Sequence, residues 1–436
     1  MKISKGISFI EFMQLDKLIP GRLVFSKGVL ILLSGSIIAQ VIPFLVSPFL
    51  TRLFSPSSFA WLALLMAAFN PLSYLVCGRY DVAMMLPPEE KESYGLAYLS
   101  WFFSFVVFLL IGVFSLLHFQ GLWSSFIPAG WNTILVLLPF MLLCTGIYQP
   151  MNYLLQRKEK HRLLSLTKIV QTGLVALLSL VFGLFALPHG LLSAYAIGWL
   201  MLALWSVCFF FFSNDLKLPP PSEINLRALA FRYRDFPLFN MPAGVIHALT
   251  IALPVFCFNH FFPGDDAGYF AFCRQILIAP VGLIANAFSQ VYFEKFATAW
   301  REKKSFRPML PAMYKPLIGF ALLILIPVAV FGPFLFALFF GEHWGRAGLF
   351  ASWQVFASAI ALVTLPLSSL IPATGRVKIS AAWQWGFFLL SLLPFFLSFS
   401  GPEALVLYFS VAEFVAYLVF LLIIFRFAFR ENEKKH

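Results

Sequence analysis

The stretch "YFAFCRQILIAPVGLIANAFSQVYF", Tyr269–Phe293, decides how the chain is read. It is apolar and long enough to cross about 30 Å of hydrocarbon as a helix, yet Arg274 lies one turn inside it. A guanidinium in the bilayer costs roughly 3 kcal/mol on insertion scales, so it needs water, a partner or a function. On a wheel advancing about 100° per residue from Arg274, Ser289 falls at about 60°, Gly282 at about 80°, Gln275 at about 100°, Asn286 at about 120° and Gln290 at about 160°. The rest of the circle is mostly Leu, Ile, Val and Phe. A polar face thus runs along a membrane helix. Either Arg274 faces a cavity with it, or it snorkels to the nearer surface.

The whole chain follows this pattern. Of 436 residues, 61% are hydrophobic and 11% charged, with 54 Phe; soluble domains carry about 25% charged residues. Twelve apolar runs are expected to be transmembrane helices: Gly28–Leu50, Phe59–Cys77, Tyr94–Leu117, Asn132–Leu154, Leu163–Ala186, Leu191–Phe212, Pro237–Phe262, Tyr269–Phe293, Tyr314–Phe340, Gly348–Ile371, Ile379–Phe399 and Glu403–Phe427. This makes an all-α integral membrane protein.

The basic residues test the count. All of the 31 Lys and Arg except Arg52, Lys168, Arg274 and Arg346 fall at the N-terminus or in every second connection. That asymmetry obeys the positive-inside rule and puts both termini in the cytoplasm. The net charge of +12 therefore marks topology and contact with anionic membrane lipids, and no nucleic-acid partner is expected. The expected organisation is a cytoplasmic basic leader at 1–27, a six-helix half at 28–212, a Pro-rich cytoplasmic linker at 213–236, a second six-helix half at 237–427 and a cytoplasmic tail at 428–436.

An internal repeat supports two halves. "RLFSPSSFAWLA", Arg52–Ala63, aligns without a gap to "HFFPGDDAGYFA", His260–Ala271, and the two follow the first and seventh spans. Six spans is an even number, so both halves point the same way across the membrane and are related by an axis along its normal. The lead helices carry prolines, Pro43 and Pro48 in one, Pro242 and Pro254 in the other. Each is an ordinary kink or a gating hinge.

Other polar residues lie within spans. Ser165, Lys168, Gln171, Thr172 and Ser179 share a stripe in the fifth, and Ser36, Gln40, Pro43, Ser47 and Thr51 lead to Arg52 in the first. The seventh offers Asn240, His247 and Asn259, and Glu413 is a carboxylate near the middle of the twelfth. Alone in lipid Glu413 would be protonated; it is expected to pair with a buried cation or to carry a proton, and His247 is the other candidate for ion coupling. The inventory is cationic, which suits an anion, and arginine grips phosphate bidentately. Nothing in the sequence resembles a P-loop, and Cys77, Cys144, Cys208, Cys257 and Cys273 lack metal-ligand spacing. No cofactor or metal is expected. No outward loop is large enough to present an acid and a base to a sugar, so a transporter is expected rather than an enzyme.

The segments "TRLFSPSSFA", Thr51–Ala60, and "GRYDVAMMLPP", Gly78–Pro88, resemble motifs of the Wzx-type polysaccharide-biosynthesis flippases, with Ala60 where that family often has Gly. Gly268, Tyr269, Arg274, Pro280 and Gln290 also stand where the family tends to have them. The resemblance implies a MOP-type fold of two six-helix bundles in the bacterial inner membrane. The implied cargo is an oligosaccharide on undecaprenyl pyrophosphate, moved to the outer leaflet by alternating access. It also implies proton or sodium coupling and work beside glycan polymerase machinery. On that reading Arg274, Lys168, Arg52, Gln275, Asn286, Gln290 and Gln40 are candidate cargo contacts, and Glu413 and His247 coupling residues. Arg52 and Arg79 are equally candidates for structural braces. The alternative is a cation or drug antiporter of the same superfamily, which would use acidic residues in the first or seventh span; neither span contains one.

Overall fold

The computed structural model describes residues 27–122, 129–212, 219–302, 304–306 and 308–433, and all regular structure among them is helical. The expected leader lies outside the described residues except for Lys27. Helices are what a membrane permits, because each backbone N–H and C=O must find its partner inside the segment.

Among the described residues, twelve helices are long and apolar enough to cross a bilayer: Ser34–Leu53 (span 1), Pro56–Val76 (2), Glu90–Phe119 (3), Asn132–Arg157 (4), His161–Leu184 (5), Gly190–Phe212 (6), Phe236–Phe261 (7), Asp265–Arg301 (8), Leu310–Phe340 (9), Glu342–Ala373 (10), Lys378–Phe396 (11) and Pro402–Phe429 (12). Each matches one expected run. Span 8 exceeds its apolar run at both ends, because Asp265 and Asp266 suit a helix N-terminus and Arg301 its C-terminus. Span 7 opens with a wide π-helical turn, Phe236–Asn240, before the α-helix Met241–Phe261. Pro242 sits in the first turn of that helix, where its missing N–H leaves no bond unmade.

The chain divides into two compact units, Val41–Ala271 and Phe272–His436, the latter joined by the described residues up to Gln40. In the first unit span 3 packs on span 4, span 4 on span 6, span 5 on span 6, and span 2 on spans 4 and 7. In the second, span 9 packs on span 10, and spans 10 and 11 on span 12. A buried cluster including Phe296, Leu317, Leu362, Leu367, Phe420 and Ile424 fills its interior. Trp383 stacks on Phe420 at 4.2 Å and donates its indole N–H to Ala416 O at 2.8 Å.

Lipid is as apolar as leucine, so helices associate by close packing and by polar contacts. In the first unit the two repeat-related turns meet. Ser57 N–H donates to Asp265 Oδ1 at 3.1 Å, and a Cβ on Gly268 would lie 1.8 Å from Pro56 O. Only glycine allows that approach.

Candidate functional site

Arg274 lies in the first turn of the second unit's share of span 8, which begins at Phe272. Its neighbour in sequence, Gln275, is exposed, whereas Arg274 is buried. The cause is helical geometry: consecutive residues diverge by about 100°, so only one of the two can look outward. Arg274 Nη1 donates to Glu413 Oε1 of span 12 at 2.5 Å and to Gln354 Oε1 of span 10 at 3.2 Å. The two charged side chains are 10% and 12% exposed. A buried charge left alone would cost several kcal/mol, so mutual compensation is what lets both groups stay in the interior. Arg274 is thus buried within its own unit, where a carboxylate meets its charge.

Gln354 completes the group. Its carbonyl is taken by Arg274, while its Nε2 is buried without a hydrogen-bond partner among the described residues. The cluster is a cation with its counter-ion plus a spare amide donor. Such a set holds an anion if the carboxylate withdraws or is neutralised. Gln354 was missed in the sequence because "FASWQVFASA" offers only one polar amide in an apolar run; the signal that could have found it is the matching depth of a lone Gln and a lone Glu.

The remaining candidates sit as follows. Gln275 and Asn286 are exposed on the second unit's part of span 8, and Ser289 is half-buried. The side chain of Gln290 lies outside the described residues. Gln40 is exposed on span 1. In the first unit Lys168 is half-buried on span 5, where Thr172 donates to its backbone carbonyl, and His247 is exposed on span 7. Arg52 is exposed in the last turn of span 1. Arg274 is in contact with both Gln354 and Glu413.

A second polar cluster lies in the first unit, in the connection between spans 2 and 3. Arg157 of span 4 donates to the carbonyls of Met84 at 2.9 Å, Pro87 at 2.6 Å and Pro88 at 3.2 Å, which pins the loop. Arg79 takes a left-handed conformation (φ 60°). Its guanidinium lies 5.0 Å from the Tyr74 ring, and its Nε donates to Asn240 Oδ1 at 2.8 Å. Asp81 is buried beneath it, with Oδ1 unpaired among the described residues. Burial pushes the Asp81 carboxyl up from its ordinary 3.8, and Arg79 pulls it partly back. A carboxyl raised in the folded state stabilises most below its unfolded pKa, and that contribution is lost as pH rises through the raised value. Asp81→Asn should therefore flatten the fall in melting temperature between acid and neutral pH. A melting profile against pH that matches wild type would show that Asp81 carries no such penalty.

A family model described as "Polysaccharide biosynthesis protein" matches residues 49–348. No curated protein matches significantly. Among solved structures, an inward-facing MATE multidrug-resistance transporter of the MOP superfamily aligns over 90% of this chain and 96% of its own, with a TM-score of 0.68 and 15% identity. The lipid II flippase MurJ in an inward closed conformation aligns over 93% and 90%, with a TM-score of 0.69 and 13% identity. A MOP superfamily transporter from Pyrococcus furiosus aligns over 93% and 96%, with a TM-score of 0.59 and 14% identity. Identities this low establish the architecture, and the family model establishes the lineage. The chain belongs to the polysaccharide biosynthesis protein family and is a multi-pass membrane protein with the MOP-superfamily fold.

Proposed function

We propose that this protein is a flippase for a lipid-linked oligosaccharide, carrying the phosphate-bearing headgroup from the inner to the outer leaflet of the bacterial cytoplasmic membrane. The observation that carries this reading is the buried Arg274–Glu413 pair with the unpaired Gln354 amide beside it. Family membership supports a polysaccharide precursor, and MurJ, a lipid II flippase, shares the fold.

The cluster works as an exchange of counter-ions. At rest Glu413 neutralises Arg274, so the helices can pack without a solvated cavity. An arriving diphosphate competes for the guanidinium and offers an oxygen to the Gln354 amide. Protonation of Glu413 favours that exchange, because a neutral carboxyl no longer holds the arginine. Arginine suits the task, since its planar fork binds two phosphate oxygens at once. The polar residues exposed on span 8, Gln275 and Asn286, offer hydrogen bonds to sugar hydroxyls. The two halves rock to expose the cargo alternately, while its lipid tail stays in the bilayer. With the inside negative, each negative charge moved outward gains about 2.3 kcal/mol per 100 mV, so transport needs no ATP.

A deletion strain is expected to accumulate lipid-linked glycan in the cytoplasmic leaflet and to lose surface glycan. Leaflet-selective labelling of that glycan is the measurement. Normal export with heightened drug sensitivity would replace this reading with the antiporter alternative.

A further inference from the structure

The short helix Leu226–Arg232, between spans 6 and 7, has two opposed faces. One is fixed to the first unit. Leu229 is buried against Gly95, and Arg232 Nη1 donates to Glu92 Oε1 at 2.5 Å. Tyr80 OH donates to Ala230 O at 3.2 Å, and just upstream Lys91 pairs with Glu223 at 3.5 Å. The other face carries Arg227 and Phe231, one turn apart, with the Arg234 guanidinium 4.3 Å from the Phe231 ring. All three are exposed, Phe231 by 69%. They border a shallow cleft of about 560 Å³ with Asn225, Ala228 and Ala230.

The charge balance here favours an anion. Glu92 and Glu223 are each committed to another cation, Arg232 and Lys91. Asp235 follows the patch in sequence and Glu89 lines the adjoining cleft with Asn225 and Ala228, while the residues lining the cleft beside Arg227 and Arg234 include no acid. Immediately beyond Asp235, Leu238 and Phe239 are 60% and 70% exposed on the π-helical turn that begins span 7. Two arginines beside exposed apolar groups at the end of a membrane span form an interfacial amphiphile-binding pattern. The phosphate head takes the arginines and the hydrocarbon tail lies on Phe231, Leu238 and Phe239.

We propose that this patch is a loading site for the diphosphate of a polyprenyl-linked lipid in the cytoplasmic leaflet. A diphosphate carries more charge than the phosphodiester of an ordinary phospholipid, and two arginines can each take one phosphate. The loading role rests on the flippase reading above, but its test reads binding rather than export. Full-length purified protein is titrated by native mass spectrometry with undecaprenyl diphosphate, phosphatidylglycerol and inorganic pyrophosphate. In Arg274→Gln/Glu413→Gln protein, which lacks the interior guanidinium, undecaprenyl diphosphate should still be held at least about tenfold more tightly than either of the others, and adding the double variant Arg227→Gln/Arg234→Gln should remove that preference. Both side chains are exposed, so the double variant should melt as wild type does. Phe231→Ser should weaken undecaprenyl diphosphate and leave pyrophosphate unchanged. Equal affinity for phosphatidylglycerol, or undiminished diphosphate binding in the double variant, overturns the proposal. Normal export in a deletion strain overturns the flippase reading alone, and unaltered diphosphate binding in the double variant overturns the loading site alone.

Discussion

Arg274→Gln is expected to abolish glycan export, and the paired variant Arg274→Gln/Glu413→Gln is expected to regain stability without regaining export. The single change strands the Glu413 carboxylate in the interior, and breaking one side of a buried ion pair costs about 3–5 kcal/mol. A thermal-shift assay should therefore show a large loss. Neutralising both partners removes the stranded charge, and replacing a whole buried pair is often neutral or stabilising. If the pair served packing alone, the double variant would export normally. If the guanidinium holds a phosphate, its loss removes a charge-assisted hydrogen bond of about 1.5–3 kcal/mol, which is roughly a 10- to 150-fold fall in affinity. Surface-glycan quantification reads the difference, and wild-type export by the double variant would defeat the counter-ion exchange. Glu413→Gln alone frees Arg274 from its partner. It should bind a diphosphate more tightly and release it more slowly, so export falls while headgroup binding rises.

Gly268→Ala should destabilise the protein although it adds a single methyl group. The new Cβ would meet Pro56 O at 1.8 Å, and a backbone carbonyl cannot rotate aside as a side chain can. The turns must separate, which weakens the Ser57 N–H to Asp265 Oδ1 bond as well. Overpacking of this kind costs about 1–3 kcal/mol, or roughly 2–4 °C of melting temperature per kcal/mol in units of this size. Asp265→Asn keeps the shape and loses only the charged acceptor, so it should cost less. A melting temperature for Gly268→Ala equal to wild type would show that the two turns do not hold this approach. A cysteine pair replacing Ser57 and Asp265 should cross-link readily in the wild-type background and poorly beside Gly268→Ala.

Much of the architecture was legible before any packing was known. The twelve spans emerged from apolar length, and the alternation of Lys and Arg confirmed them, since a missed span would have inverted every later connection. Composition and charge are one-dimensional signals, and a bilayer imposes a one-dimensional rule of length on helices. Two similar turns after spans 1 and 7 were also readable. That these turns touch was not, because contact between residues some 208 positions apart depends on how spans 2 and 7 pack.

The site was half legible. Arg274 and Glu413 stood out because ionisable groups are expensive in hydrocarbon, and each was expected to need a partner or a task. Their pairing with each other joins residues 139 apart in sequence, and no periodicity encodes it. Gln354 was invisible for the same reason: one amide in an apolar helix has no meaning until a guanidinium is placed against it.

The sequence by itself determined that this chain lives in a membrane as twelve helices, that its Lys and Arg gather in alternate connections, and which ionisable residues fall inside the spans. Only the tertiary structure decided that the arginine is met by a carboxylate and an amide from two other helices. The bilayer reads each helix singly, through its transfer free energy, whereas a buried charge is stabilised by atoms within about 3 Å, and only folding brings those atoms near.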